Sequence, residues 1–424
     1  MKKKILIGVL LINFGILGIL LSREEKIEQV YQEENIELAV YVENVKQDTI
    51  PSKGNEENYM FEKAICYTNG KEDPNITVTW NNSLWGPLIK GLTAYKTRCD
   101  LYFKKMSFNE AILACNQNKN AAECFLENAS LNSTELAYDE TADNNLRYFG
   151  ANPNNYVSFN NELWRIIGVM NNIEDGSGKK ETKIKLVRNE SIGSYVFDGS
   201  SNGGLGLSDW ATSDLMRLLN PGYESQTNGG SLYWNRVSGK CYIGSIEYDS
   251  TTLTDCDFSN SGLTEEAKNY ISKSLWNYGT TITTDTSTVN HYYEGERSNY
   301  AYPESNSIKW IGNVAIAYPS DFGFATGNSE SVTRDYCLSL DLKFGEIDSN
   351  CLDYNWMFSN QRYWLLNASH SMHGFVTFVF TNPKQLSTTA SYDPHEVYPS
   401  VYLKSNIKIV SGNGSQSNPF KLSL

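Results

Sequence analysis

The sequence predicts an α+β protein that is mostly β: an N-terminal transmembrane helix, a small antiparallel β module and a loop-rich C-terminal domain. Three observations predict this. Short period-two runs rich in Val, Ile, Thr and aromatic residues recur along the chain, while helical spacing is rare. The 424 residues include 27 Tyr, 9 Trp and 31 Gly, a mixture suited to short strands joined by long turns. Eight cysteines fit a chain that matures in an oxidising compartment. The 36 basic and 49 acidic side chains leave a net charge of −13, which argues against nucleic acid or an anionic lipid surface as partner. With 40% hydrophobic and 20% charged residues, the body is a packed chain and not a charge-swollen, disordered one.

Lys2, Lys3 and Lys4 precede an uncharged stretch, Ile5–Leu21. At about 1.5 Å per residue it spans roughly 25 Å, near the lower limit for a membrane crossing. The lysines place that end in the cytoplasm. Residues 1–22 therefore read as a transmembrane anchor or a signal segment, with the membrane as partner of residues 5–21. Leu20 and Leu21 before Ser22 fit poorly with the small residues of a cleavage site. No Cys follows the run to carry a lipid. An uncleaved single-pass anchor, with the C-terminal bulk extracellular, is favoured over secretion after cleavage, and both readings export the remainder.

From Arg23 to Glu62 there are 11 acidic and 4 basic residues; residues 23–35 read as an acidic stalk. Beyond it, Ile36, Leu38, Val40 and Val42 alternate with Glu37, Ala39, Tyr41 and Glu43, the pattern of a half-buried strand. Strand-like runs at 59–67, 76–80 and 94–103, with turns at Asp73-Pro74 and Asn81-Asn82, complete a small antiparallel module over 36–104. Ser107 and Glu110 form a capping box that opens a helix. The rest of 105–145 is polar and reads as a helical connector. In 146–424, strand-like pieces lie near 156–170, 183–188, 310–318, 374–380 and 398–410. Two helices are expected there: 212–219, stopped by Asn220-Pro221-Gly222, and 264–277, capped by Thr264. Loops at 198–206, 225–231 and 280–307 separate these pieces, giving a loop-decorated α+β domain.

The cysteines stand at 66, 99, 115, 124, 241, 256, 337 and 351. Eight cysteines allow 105 pairings. Joining sequence neighbours (Cys66–Cys99, Cys115–Cys124, Cys241–Cys256, Cys337–Cys351) keeps every bridge inside one local unit. No two are close enough for the C-x₂-C pairs of a zinc site, so structural disulfides are the expectation and no metal is called.

Several segments carry a resemblance. They are Arg147-Tyr148-Phe149-Gly150-Ala151-Asn152-Pro153-Asn154-Asn155-Tyr156-Val157, running into Phe159-Asn160 and then Glu162-Leu163-Trp164-Arg165-Ile166-Ile167-Gly168-Val169. Later come Leu218-Leu219-Asn220-Pro221-Gly222-Tyr223, Tyr318-Pro319-Ser320-Asp321-Phe322-Gly323 and Tyr398-Pro399-Ser400-Val401-Tyr402-Leu403. Gly412-Asn413-Gly414 and Asn418-Pro419-Phe420 close the set. Together they resemble a family of exported cell-surface proteins of Gram-positive gut bacteria that is known chiefly as sequences. The resemblance covers most of 36–424. It implies a membrane segment, a small disulfide-bonded β module and a large C-terminal domain, and brings little function. More distantly, 146–424 is similar to the superfold of C-type lectins and the formylglycine-generating enzyme, which implies a C-type-lectin-like domain. The sugar-binding motifs of the lectins (Glu-Pro-Asn, Gln-Pro-Asp, Trp-Asn-Asp) and the oxidase's paired reactive cysteines have no match, so no catalytic or calcium residue carries over.

Chemistry-bearing motifs are weak. His370 and His373 make an H-x-x-H without the helical H-E-x-x-H frame of a metal site; local polar roles fit better. His395 with Asp393 and Glu396 around Pro394 reads as a turn before it reads as a general-base site. Gly203, Gly204 and Gly206 form a lone glycine cluster in a loop. No G-x-S-x-G elbow or P-loop occurs. Asp321, Asp335 and Asp341 lie among aromatics, and a glycosidase pair needs only spatial closeness. The aromatics are the better clue. Trp210, Trp234, Trp276, Trp310, Trp356 and Trp364 stand beside polar residues, and aromatic faces with polar rims suit sugar or peptide surfaces. Most should fill a core, Trp164 among them. Trp234 and Trp356, in polar loops, are the candidates for a binding face.

The function read from the sequence is thus a membrane-tethered extracellular recognition or adhesion module, without catalytic residues or cofactor, whose ligand is a glycan or a protein. The alternatives are an extracellular hydrolase with a carboxylate site and a non-binding structural subunit of a surface assembly.

Overall fold

The computed structural model describes residues 36–51, 59–81, 84–92, 96–199, 206–243, 252–280, 287–343, 345–369 and 372–424. Strands take 40% and helices 18%, an α+β architecture that is mostly β. The chain divides into two compact units, Met1–Lys105 and Met106–Leu424. Among the described residues no helix is long and apolar enough to cross a membrane. The expected membrane segment, 1–22, and the stalk, 23–35, lie outside the described residues.

In the first unit a five-stranded sheet has the order Val45–Gln47, Ile36–Val42, Thr97–Lys105, Tyr59–Thr68, Lys71–Glu72. Glu43 and Asn44 close the first hairpin, both at positive φ (48° and 68°), as a two-residue turn of this kind requires. Ile36–Val42 runs parallel to Thr97–Lys105, with Leu38 opposite Cys99 and Val40 opposite Leu101. The module is therefore mixed, which corrects the antiparallel expectation. Alternation with period two is the same in either direction, so only the long connection decides it. Val40, Cys66, Cys99, Leu101 and Phe103 are buried on one face. The hairpin Thr77–Asn81 with Gly86–Lys90 folds over them, its Trp80 ring 5.4 Å from Phe61 and 5.0 Å from Phe103.

The second unit begins with the stretch expected to be a connector. That expectation is corrected: 107–148 builds part of the core. Ser107 caps the helix Phe108–Cys115, its hydroxyl accepting from the Glu110 amide while its own amide donates to Glu110 Oε2 at 3.0 Å. Such a cap contributes on the order of 1 kcal/mol. A second capping box, Asn120 with Glu123, opens Ala121–Asn128, and a Cys115–Cys124 bridge joins the two helices. Phe108, Ile112 and Phe125 are buried, with Phe125 5.9 Å from Phe420 of the last strand. Two helical turns are too few to show an apolar repeat, so this burial left no periodic signal.

A nine-stranded sheet follows. Its main path runs Val314–Ile316, Pro399–Tyr402, Lys180–Arg188, Glu162–Glu174, Tyr156–Phe159, Phe420–Ser423, Lys408–Ser411, with Leu146–Tyr148 paired to Glu162–Glu174 and Leu136–Tyr138 paired to Leu146–Tyr148. A second sheet orders Ser194–Val196, Pro394–Glu396, Tyr363–Ala368, Phe375–Thr381, Lys384–Ala390. The two meet where the Leu366 amide donates to the Ala317 carbonyl (2.8 Å), and one continuous apolar core runs through both. The expected strand pieces thus become sheet, most of them in the larger one. The helix expected over 212–219 is Asp214–Leu219, capped by Ser213.

The helix expected over 264–277 ends early. It spans Glu265–Tyr270, and Ser274–Asn277 is a strand paired with Lys309–Gly312, Trp276 opposite Trp310. Ala267, Ile271 and Leu275 have helical spacing, but burying Trp276 outright outweighs that local preference. The loop expected over 280–307 contains a helix, Val289–Glu296. All eight cysteines are bridged between sequence neighbours: 66–99, 115–124, 241–256 and 337–351.

Candidate functional site

Where the two sheets approach, a pocket of about 520 Å³, including the part open to solvent, lies between them. Glu162–Glu174 supplies Arg165, Lys180–Arg188 supplies Val187 and Arg188, and Tyr363–Ala368 supplies Tyr363 and Trp364. Loop residues Trp356 and Tyr398 complete an aromatic wall, and Asn189 and Ser359 add neutral polar groups. Tyr363 and Trp364 are buried and immobilised: the Tyr363 hydroxyl donates to the Met357 carbonyl (2.7 Å) and Trp364 Nε1 to the Tyr195 carbonyl (2.9 Å). Trp356 and Tyr398 are half-buried, with Trp356 Nε1 donating to the Tyr148 carbonyl at 3.0 Å.

The two arginines of the pocket differ. Arg188 is paired twice with Glu162, Nε to Oε1 at 2.8 Å and Nη2 to Oε2 at 2.6 Å. Burial would lower its pKa, but Glu162 outweighs that and raises it. Arg165 is 7% exposed and stacks between Tyr156 (4.0 Å from the guanidinium carbon to the ring centre) and Trp356 (4.7 Å). Its N–H groups donate to neutral oxygens: Asn155 Oδ1 (2.5 Å), the Tyr156 hydroxyl (3.1 Å), Asn152 Oδ1 and the Pro153 carbonyl (3.4 Å each). Burial pulls its pKa down to about 10.

The sequence candidates distribute as follows. Trp356 lines the pocket; Trp234 lies elsewhere, on the short helix Leu232–Asn235 with the Lys268 ammonium 5.5 Å from its ring centre. Trp164, Trp210, Trp276 and Trp364 are fully buried. Arg165, Tyr363 and Tyr398 were missed. Only Arg165 left a trace in the sequence, as a lone charge inside the apolar run Leu163–Val169.

Asp321 belongs to a closed ionic network rather than a carboxylate pair. It is 2% exposed, accepts from Lys185 at 2.5 Å and from Arg147 at 2.7 Å, and Arg147 also pairs with Asp139 at 2.7 Å. Its carboxylate accepts the Tyr318 amide at the start of the helix Pro319–Phe324. Burial would raise its pKa; Lys185 and Arg147 overcome that and hold it low. Burial pulls Lys185 down to about 8 despite Asp321, and Tyr318 covers the ammonium at 3.8 Å. Asp335 sits in the first turn of Arg334–Ser339, and Asp341 accepts the Ser287 and Lys343 amides.

His395 is stacked on Phe378 (4.4 Å, 6°) and edges onto Trp364 at 4.6 Å. Asp393 is bonded by Thr389 and Glu396 by Ser191, so the trio does not converge on one reacting position. Burial, aided by Arg362, pushes the imidazole pKa down to about 3. The unfolded chain takes up that proton near pH 6.5, and the folded one resists to about pH 3. Stability is therefore fully present above about pH 6.5 and is lost as pH falls. His395→Phe should flatten the decline of melting temperature between about pH 6.5 and pH 4, read by circular dichroism; an unchanged decline would rule out this imidazole as its source.

His373 is exposed and His370 lies outside the described residues; among the described residues no cluster of metal-ligating side chains occurs. Gly203 and Gly204 lie outside them as well. Gly206 has φ +67°, and a Cβ there would stand 2.1 Å from the Asp198 carbonyl oxygen, which explains a glycine without a ligand. Compared with known proteins, the chain matches no family model, no curated protein and no solved structure.

Proposed function

We propose that this chain is a membrane-tethered protein of the cell surface whose second unit recognises a glycan in the pocket between its two sheets. The observation that carries this reading is the pair of half-buried rings Trp356 and Tyr398, backed by the buried Tyr363 and Trp364, beside the neutral groups of Asn189 and Ser359. Rigid aromatic planes offer apolar area to the C–H faces of a sugar ring, and polar groups around them take its hydroxyls. The apolar N-terminal segment and four bridges support display outside the cytoplasm. Loops pinned by bridges onto packed sheets are the usual bearers of recognition.

The test uses the full-length chain in mild detergent, titrated with mono- and disaccharides while its tryptophan fluorescence is followed. Saturable binding is expected, weakened at least about tenfold by Trp356→Ala, since stacking and shape in a small pocket are worth on the order of 1–3 kcal/mol. No binding across saccharides, or binding indifferent to Trp356, overturns the proposal.

A further inference from the structure

We infer that the occupant of this pocket is an acidic sugar whose carboxylate is received by Arg165. The inference rests on the reading of the pocket as a recognition site and deepens it. Removing a guanidinium from water is costly unless an anion compensates it. Elsewhere in the second unit the buried arginines obey that rule: Arg147 has Asp139 and Asp321, and Arg188 has Glu162. Arg334 also donates only to carbonyls, those of Thr326 and Phe324, but it is less buried than Arg165 and the Asp335, Asp139 and Glu140 carboxylates act on it. Arg165 is buried, lines the pocket and donates only to neutral oxygens among the described residues; the Glu135 carboxylate acts on it electrostatically, but burial outweighs that and pulls its pKa down.

The geometry prepares it for a ligand. Tyr156 and Trp356 hold the guanidinium plane from two directions, and Asn155 fixes Nε. Nη1 donates one bond, to the Tyr156 hydroxyl, and so keeps a second hydrogen for an incoming oxygen. A carboxylate seated there gains a charge-assisted bond inside an aromatic, partly dry wall. The chain's net charge of −13 repels anions in general, so this attraction has to be local. A sugar fits better than a peptide. The strands that form the wall are already paired on both sides, Val187 with Arg165 and Ser400, Tyr363 with Val379 and Glu396. Among the described residues these two strands leave no free edge to take an extended main chain.

Galacturonate, its methyl ester, galactose and a short peptide with a free C-terminal carboxylate are titrated against the full-length chain in detergent at physiological salt. Galacturonate should bind about tenfold tighter than galactose, and the methyl ester should fall to the level of galactose. Arg165→Gln should abolish the preference of galacturonate over galactose. The ester tests the charge even if that variant fails to fold. Equal binding of galacturonate and galactose, both lost in Trp356→Ala, overturns the acidic ligand and leaves the sugar pocket standing. Preference for the peptide overturns the inference in favour of a protein ligand. Binding of none overturns both.

Discussion

Asp321→Leu lowers the melting temperature of the second unit by on the order of 10 °C. The carboxylate is the shared partner of Lys185 and Arg147 and also accepts the Tyr318 amide. Without it Lys185, 0% exposed, must hold its charge unpaired or give up its proton, and either weakens the fold. Breaking a buried pair from one side costs about 3–5 kcal/mol, and about 2–4 °C accompanies each kcal/mol in a domain of this order of size. The companion change separates attraction from desolvation. Asp321→Leu combined with Lys185→Met should be much less damaging than the sum of the two single changes, because replacing both partners by apolar groups removes the unpaired charge. Additive losses, measured by thermal unfolding, would mean that the two side chains act independently. Arg147 retains Asp139 throughout, so the core keeps one anchor for its second buried cation.

Removing the Cys66–Cys99 bridge, as Cys66→Ala with Cys99→Ala, unfolds the first unit at 37 °C and leaves the second unit's transition unchanged. The core of the first unit is small: Val40, Cys66, Ile76, Cys99, Leu101 and Phe103, with Phe61 and Trp80 packed against it. Small units bury too little surface to stand without staples. The bridge spans 33 residues, and closing a loop of that length restricts the unfolded chain by about 3–4 kcal/mol. It also joins direct cross-strand partners of Tyr59–Thr68 and Thr97–Lys105, which fixes their register. Two transitions by calorimetry, with only the first one lost in the double substitution, is the expected record. Retention of both would show that the aromatic cluster around Trp80 suffices alone.

What the sequence disclosed follows from how local each signal is. The period-two runs gave most strands of the larger sheet, because alternation is written within a handful of residues. Ser107 with Glu110, and Ser213 before Asp214–Leu219, were readable because a cap needs only neighbours three positions apart. The bridges follow sequence order for the same reason. Strand direction in the first unit, the burial of 107–148 and the diversion of Ser274–Asn277 into a strand were not readable, because each depends on a partner far along the chain. The pocket is the extreme case. Arg165 gains its meaning from Tyr156 on the neighbouring strand and from Trp356 in a distant loop, and a lone arginine within an apolar strand carries no hint of which rings will enclose it. Trp356 and Trp234 looked alike in sequence, and only the fold puts one of them in the wall of a cavity.

The proposed display at the cell surface requires an oxidising compartment in which the four bridges can form. Peptide mapping by mass spectrometry of protein taken from its native envelope, under non-reducing conditions, tests this most directly. Linked peptides 66–99, 115–124, 241–256 and 337–351 and no free thiol are expected. Reduced cysteines, or bridges crossing between these pairs, would contradict it.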